Sequence, residues 1–110
     1  MEIFSITANA IVIRPWQESD RPFLRTLYLH ARREAWPWLD SADWQLEDFD
    51  AVTRDEVIWV ATQNGHRLGF ASVWTNDSFL HNLFVDPQYQ SHGVGKMLLE
   101  QVQKTFTSTG

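Results

Sequence analysis

The sequence predicts an α+β fold, an antiparallel β-meander flanked by helices in the order β-α-α-β-β-β-α. Three observations predict it. Apolar residues in the first half recur at helical spacing. From Val57 the pattern changes to short apolar runs of strand length. Asn64-Gly65, between two of those runs, is a strong hairpin signal.

Taken in order, NAIVIR (Asn9 to Arg14) is a β-branched run stopped by Pro15 and is predicted as the first strand. Ser19 and Asp20 are candidate N-caps, and Pro22 suits a first helical turn. Phe23, Leu24, Leu27, Tyr28 and Ala31 then predict a helix to about Glu34. AWPWLD, residues 35–40, reads as a Pro-broken, Trp-rich loop. Ser41 or Asp43 is predicted to cap a second short helix with Leu46 and Phe49 on its inner face. VIWVAT (57–62) and RLGFASVW (67–74) are the hairpin strands, TND (75–77) is a turn, and FLHNLFV (79–85) is the last strand, closed by Asp86-Pro87. From Gly93 a helix carries Val94, Leu98, Val102 and Phe106 at i, i+4 spacing, with Met97 beside them. The tail TSTG is polar and predicted to fray.

Bulk properties narrow the function classes. A chain of 110 residues with 44% hydrophobic residues, six Trp and seven Phe suits one globular domain, residues 1–110. The net charge is −5, and no stripe of Lys and Arg is visible. A nucleic-acid or anionic-membrane partner is therefore not expected. An anionic small ligand stays open, because backbone amides bind anions without net positive charge. The absence of cysteine removes disulfides, cysteine nucleophiles and thiolate metal sites, and no metal is expected. The N-terminus has no basic and apolar leader pattern, and no apolar run approaches the roughly 18 residues of a membrane span. The expected location is cytoplasmic.

The stretch VDPQYQSHGVGKMLLEQV, residues 85–102, carries the strongest motif. Two glycines at a helix start need a reason, since glycine costs about 1 kcal/mol against alanine in a helix. A P-loop fails, because Gln90 stands at its first glycine and Met97 at its hydroxyl. A dinucleotide fingerprint is weak, because its third glycine is Leu98 and the preceding strand is the fourth in order. The pattern Q/R-x-x-G-x-G/A is met in full by Gln90, Gly93 and Gly95.

With its apolar strand, its Asp-Pro turn and its order of elements, the chain here resembles the GNAT superfamily of acyl-CoA-dependent N-acyltransferases. NLFVDPQYQSHGVGKMLL is similar to that family's central acetyl-CoA motif, and IVIRPWQESD to its first strand and helix start. The resemblance implies a cofactor, acetyl-CoA (coenzyme A). Its pyrophosphate would be held by backbone amides of Ser91, His92, Gly93, Val94, Gly95 and Lys96 at a positive helix end. Side chains at 93 and 95 would block that approach. Leu83, Phe84 and Val85 would pair with the pantetheine amides as a pseudo-strand, their side chains remaining free to join the core. Two readings stand for Lys96, phosphate contact or solvated lysine, and two for Gln90, phosphate contact or loop brace.

Acyl transfer asks for a general base and an oxyanion donor. His81 is the candidate base, and Asn82 could order a water or hold substrate. The alternative for His81 is a hydrogen-bonded histidine on a half-buried face. The amide of Leu83 or Val85 is a candidate oxyanion donor. Tyr89 reads as packing, and Glu18, Asp20 and Glu34 as helix-end and surface charges. Trp36 and Trp38, with Trp44, either border the acceptor pocket or cap the core.

The expected function is an N-acetyltransferase acting from acetyl-CoA on a primary amine of a small molecule or peptide. The alternatives are a non-catalytic acyl-CoA-binding module or inactive fragment, and a small interaction domain that docks through its tryptophans. The family domain normally continues past this last helix with a strand, a helix and two strands. The chain, ending at Gly110, is therefore expected to be the N-terminal portion of the family fold, lacking the usual C-terminal strands. Its last strand would then show an unpaired edge that favours a homodimer.

Overall fold

A computed structural model describes residues 10–74, 79–90 and 92–109. The elements are β1 (Val12–Pro15), α1 (Arg21–Ala35), α2 (Asp48–Val52), β2 (Val57–Gln63), β3 (His66–Trp74), β4 (Phe79–Val85) and α3 (Val94–Thr109). This is the predicted order. The strands form one antiparallel sheet in spatial order β1-β2-β3-β4.

The sheet has a core on each face. On one face Ile58, Val60 and Phe70 pack against Leu24, Leu27 and Tyr28 of α1 and Phe49 of α2. On the other, Ala61, Ala71 and Val73 pack against Val94, Leu98 and Val102 of α3. The i, i+4 stripe read from the sequence is thus the buried side of α3. Asn64 and Gly65 take φ of 53° and 82°, the geometry of a tight hairpin turn.

Several boundaries differ from the sequence reading. β1 ends at Pro15 as expected, but Pro15 is itself part of the strand, paired with Trp59. Among the described residues β1 is an edge strand, where a missing N–H is tolerated. Asn9 and the TND turn lie outside the described residues. Neither Ser41 nor Asp43 caps α2. Glu47 precedes that helix without a side-chain bond to it. Instead the Asp48 carboxylate accepts from the Gln45 amide at 2.9 Å. Leu46 is exposed, whereas Phe49 is buried as expected.

The largest correction concerns Asp20. It is no surface charge, and although it stands at the N-cap position of α1 its side chain makes no bond to that helix end. A 3-10 turn, Glu18–Asp20, precedes the helix, and the Asp20 carboxylate is fully buried. It accepts from the Gln17 amide at 2.7 Å, from Arg14 at 2.8 and 2.9 Å, and from Arg67 at 2.6 Å. One carboxylate thus ties β1, the start of α1 and β3. Glu18 and Glu34 are exposed, as the sequence suggested.

Two bulges shape the sheet. Thr62 pairs with Arg67 but Ala61 with Gly69, so Leu68 is an extra residue in β3. Ser72 pairs with Asn82 but Val73 with Leu80, so His81 is an extra residue in β4.

Candidate functional site

The site is built around the C-terminal half of β4 and the turn into α3. Among the described residues β4 is a sheet edge. The Asp86 amide donates to the Leu68 carbonyl at 2.8 Å. Hydrogen-bonded pairs alternate along an antiparallel ladder, so Phe84 and Asn82 also face β3. Leu83 and Val85 therefore turn their N–H and C=O groups away from the sheet. The sequence reading drew its oxyanion donor from this pair, but its pantetheine contacts from Leu83, Phe84 and Val85; the backbone of Phe84 is taken up by β3 instead. Phe84 joins the α1 core and Val85 the α3 core, as anticipated. Leu83 does not; its side chain is exposed.

That edge opens into a cavity of about 280 Å³ between β4 and the last turns of α1, walled by Leu83, Phe84, Val85, Gln90, Glu34 and Ala35. A second cavity of about 370 Å³ adjoins it and shares Glu34 and Pro87. Its other walls include Phe23 and Leu27 with His30 and Asp86, so two carboxylates, Glu34 and Asp86, stand at a partly apolar end.

Asp86 accepts from the Gln88 amide at 3.0 Å and starts a short 3-10 turn, Pro87–Tyr89. Tyr89 packs into the α3 core, and the exposed His92 ring stands edge-on to it at 6.1 Å. Gln90 leans its side-chain amide on the Val85 carbonyl at 3.4 Å, which favours its loop-bracing role. Gly93 has φ of +81°, where other residues are strained. The first helical bond of α3 runs from the Met97 amide to the Gly93 carbonyl at 3.1 Å. The amides of Val94, Gly95 and Lys96 consequently have no helical acceptor. Val94 buries its side chain, leaving only its amide for a ligand, while Lys96 is exposed. Ser91 lies outside the described residues.

Gly95 differs from Gly93. A Cβ there would meet its nearest neighbour, Val85 Cγ2, at 3.8 Å, which is ordinary contact. Among the described residues nothing demands glycine at 95, and a bare backbone there suits a ligand that must approach it closely. These residues fit a phosphate-bearing cofactor.

The structure does not bring every candidate together. His81 and Asn82 are not in the cavity wall. Asn82 is buried and donates to Ser72 Oγ at 2.7 Å, a bond that occupies its amide in the sheet. His81 Nδ1 lies 2.6 Å from Glu56 Oε2. Sequence reasoning missed Glu56, which stands 25 positions away and outside any motif.

Trp36 and Trp38 are 42% and 74% exposed, so neither caps the core. Trp44 is half-buried, with the Arg32 guanidinium over its ring at 4.8 Å. Arg32 also lies over Tyr28 at 4.2 Å. Burial raises the Tyr28 hydroxyl pKa above the usual tyrosine value.

Comparison with known proteins follows the same residues. Residues 14–110 match the acetyltransferase (GNAT) family. The peptidyl-lysine N-acetyltransferase YiaC of Escherichia coli (strain K12) is 31% identical over 98 residues, covering 84% of this chain and 65% of that protein. The chain thus spans about two thirds of the length of this curated relative. A GCN5-related N-acetyltransferase from Kribbella flavida has a TM-score of 0.74 at 16% identity, over 92% of this chain and 67% of that one. AAC(6')-Iy, solved in complex with the bisubstrate analogue CoA-S-monomethyl-acetylneamine, has a TM-score of 0.64 at 24% identity, over 92% and 74%. The two structures share the fold.

Proposed function

The chain belongs to the GNAT acetyltransferase family, and from that premise we propose that it transfers an acetyl group from acetyl-CoA to a primary amine of a small molecule or peptide. The observation that carries this reading is the turn into α3. Three amides are without helical acceptors, and among the described residues Gly95 has no packing reason to be glycine. Acetyl-CoA, when bound, supplies an acetyl group activated as a thioester. Residues 92–96, with Ser91, hold the pyrophosphate by backbone amides, at a helix end whose dipole favours anions. The outward N–H and C=O groups of Leu83 and Val85 align the pantetheine arm along β4. Either N–H is placed to donate to the oxygen that gains charge. His81 takes the proton of the acceptor amine, and Asn82 braces the strand beside it. Glu34, shared by both cavities, and Asp86 beyond it attract a cationic amine. Trp36 and Trp38 border the acceptor.

The similarity to a peptidyl-lysine N-acetyltransferase favours a lysine side chain as acceptor. A non-catalytic acyl-CoA-binding role is the second reading. It is favoured by the position of His81 outside the cavity wall.

Thermal denaturation with acetyl-CoA, longer acyl-CoAs and dephospho-coenzyme A tests the ligand. Stabilisation is expected, and its loss in Gly95→Glu. Release of free coenzyme A thiol with a lysine-containing peptide then tests transfer. Binding without thiol release across a panel of amines would leave only the second reading.

A further inference from the structure

The His81–Glu56 contact is unusual for a structural ion pair. The Glu56 side chain is only 5% exposed, whereas that of His81 is 39% exposed. One Glu56 oxygen lies 2.6 Å from His81 Nδ1. The other, Oε1, is buried without a partner among the described residues. Burying a carboxylate with an unsatisfied oxygen is unfavourable, and native folds rarely keep such an atom without reason. A fold needing only stability at this point would be better served by an apolar side chain. The backbone is shaped for the same contact. His81 is the extra residue of the β4 bulge, and a bulge re-aims its side chain. Glu56 stands immediately before β2, on the far side of β3, so the contact spans the middle strand.

On the acetyl-transfer reading given above, we propose that Glu56 is a positioning residue for His81. Its carboxylate accepts the Nδ1–H, which fixes the tautomer and leaves Nε2 with its lone pair free. When the ammonium of the acceptor gives its proton to Nε2, the N–H bond of the amine breaks and an imidazolium forms. Glu56 stays ionised and stabilises that cation. The other groups near the pair are the Phe79 ring, 6.1 Å from that of His81, and Tyr28, which is in electrostatic reach of Glu56. Arg32 stands over Tyr28.

The test is a double-mutant cycle on the full chain, read as thiol release from acetyl-CoA with a lysine-containing peptide. Glu56→Gln keeps the shape and removes the charge. It is expected to lower kcat about tenfold or more, with KM for both substrates unchanged and Glu56→Asp restoring part of the rate. In a His81→Ala background the same change should have no further effect. Independently of turnover, 15N NMR of His81 should show its proton on Nδ1 in the unaltered protein. A ring protonated on Nε2 alone would overturn the proposal and leave acetyl transfer standing. So would an equal rate loss from Glu56→Gln with and without His81. Absence of thiol release by the unaltered protein with every amine would instead remove the transfer reading, and this proposal with it.

Discussion

Arg67 Nε lies 2.6 Å from Asp20 Oδ1, across 47 positions of sequence, on a carboxylate that solvent does not reach. Arg14 grips the same group from the strand just before it, at 2.8 Å. A buried acid with two guanidiniums and a backbone amide is satisfied only while all four segments keep their places. Asp20→Asn leaves two arginines facing a neutral amide. It should cost roughly 3 kcal/mol, as breaking a buried pair typically does. Urea unfolding should show a lower midpoint with little change in slope.

The same residue sets an acid limb. Hydrogen bonding from Arg14, then from Arg67, holds the Asp20 carboxyl far below the usual carboxylate range. Its stabilising effect is complete above the unfolded carboxyl pKa of about 4. It fades as pH falls from there toward the depressed folded value, because the unfolded chain takes up the proton first. Chemical denaturation from neutral pH down to about pH 3 should show this loss, and Asp20→Asn should flatten that part of the profile.

Gly93 and Gly95 should respond differently to the same substitution. Gly93→Ala places a side chain at φ of +81° and should lower stability by about 1–2 kcal/mol. Gly95→Ala meets only ordinary contact and should leave stability unchanged or raise it, as alanine favours helix. Differential scanning calorimetry of the two variants without ligand makes the comparison. Coenzyme A affinity measured on Gly95→Ala then reports how closely a ligand approaches.

Gly69→Ala is expected to be damaging for a different reason. Its Cβ would fall 2.5 Å from the Phe84 carbonyl oxygen and 3.0 Å from Val85 Cα. The β3 and β4 backbones must part to admit it, at roughly 1–3 kcal/mol. The strand that moves is the one lining the cavity. Thermal unfolding should therefore show a lower midpoint, and titration calorimetry a weaker coenzyme A affinity.

How far the sequence could be read follows from how local each signal is. β4 was legible at its full extent, Phe79–Val85, because apolar residues fill it and Asp86-Pro87 ends it. The hairpin was legible because Asn64-Gly65 satisfies one turn geometry. The glycine turn into α3 was legible because Gly93 supplies a backbone angle that other residues resist. Asp20 was placed correctly at the helix start but misread as a surface charge, because only the fold brings Arg67 to it. The α2 boundary was misplaced because Asp48 closes its turn from inside the helix, so an acid upstream was an equally good candidate. The His81 bulge was hidden because one extra residue leaves no mark on a run that is apolar on both sides. Its partner Glu56 was hidden because neither residue's neighbours announce the other.

That extra residue can be lost without turning its neighbours over. Deleting His81 would give a smooth ladder with β3 and leave Leu80 opposite Val73 on the α3 side. Deleting a residue between Asn82 and Val85 would instead exchange the two faces of the strand on one side of the cut, and with them the side chains that meet α1 and α3. Among single-residue deletions along β4, the one at position 81 should therefore be tolerated best.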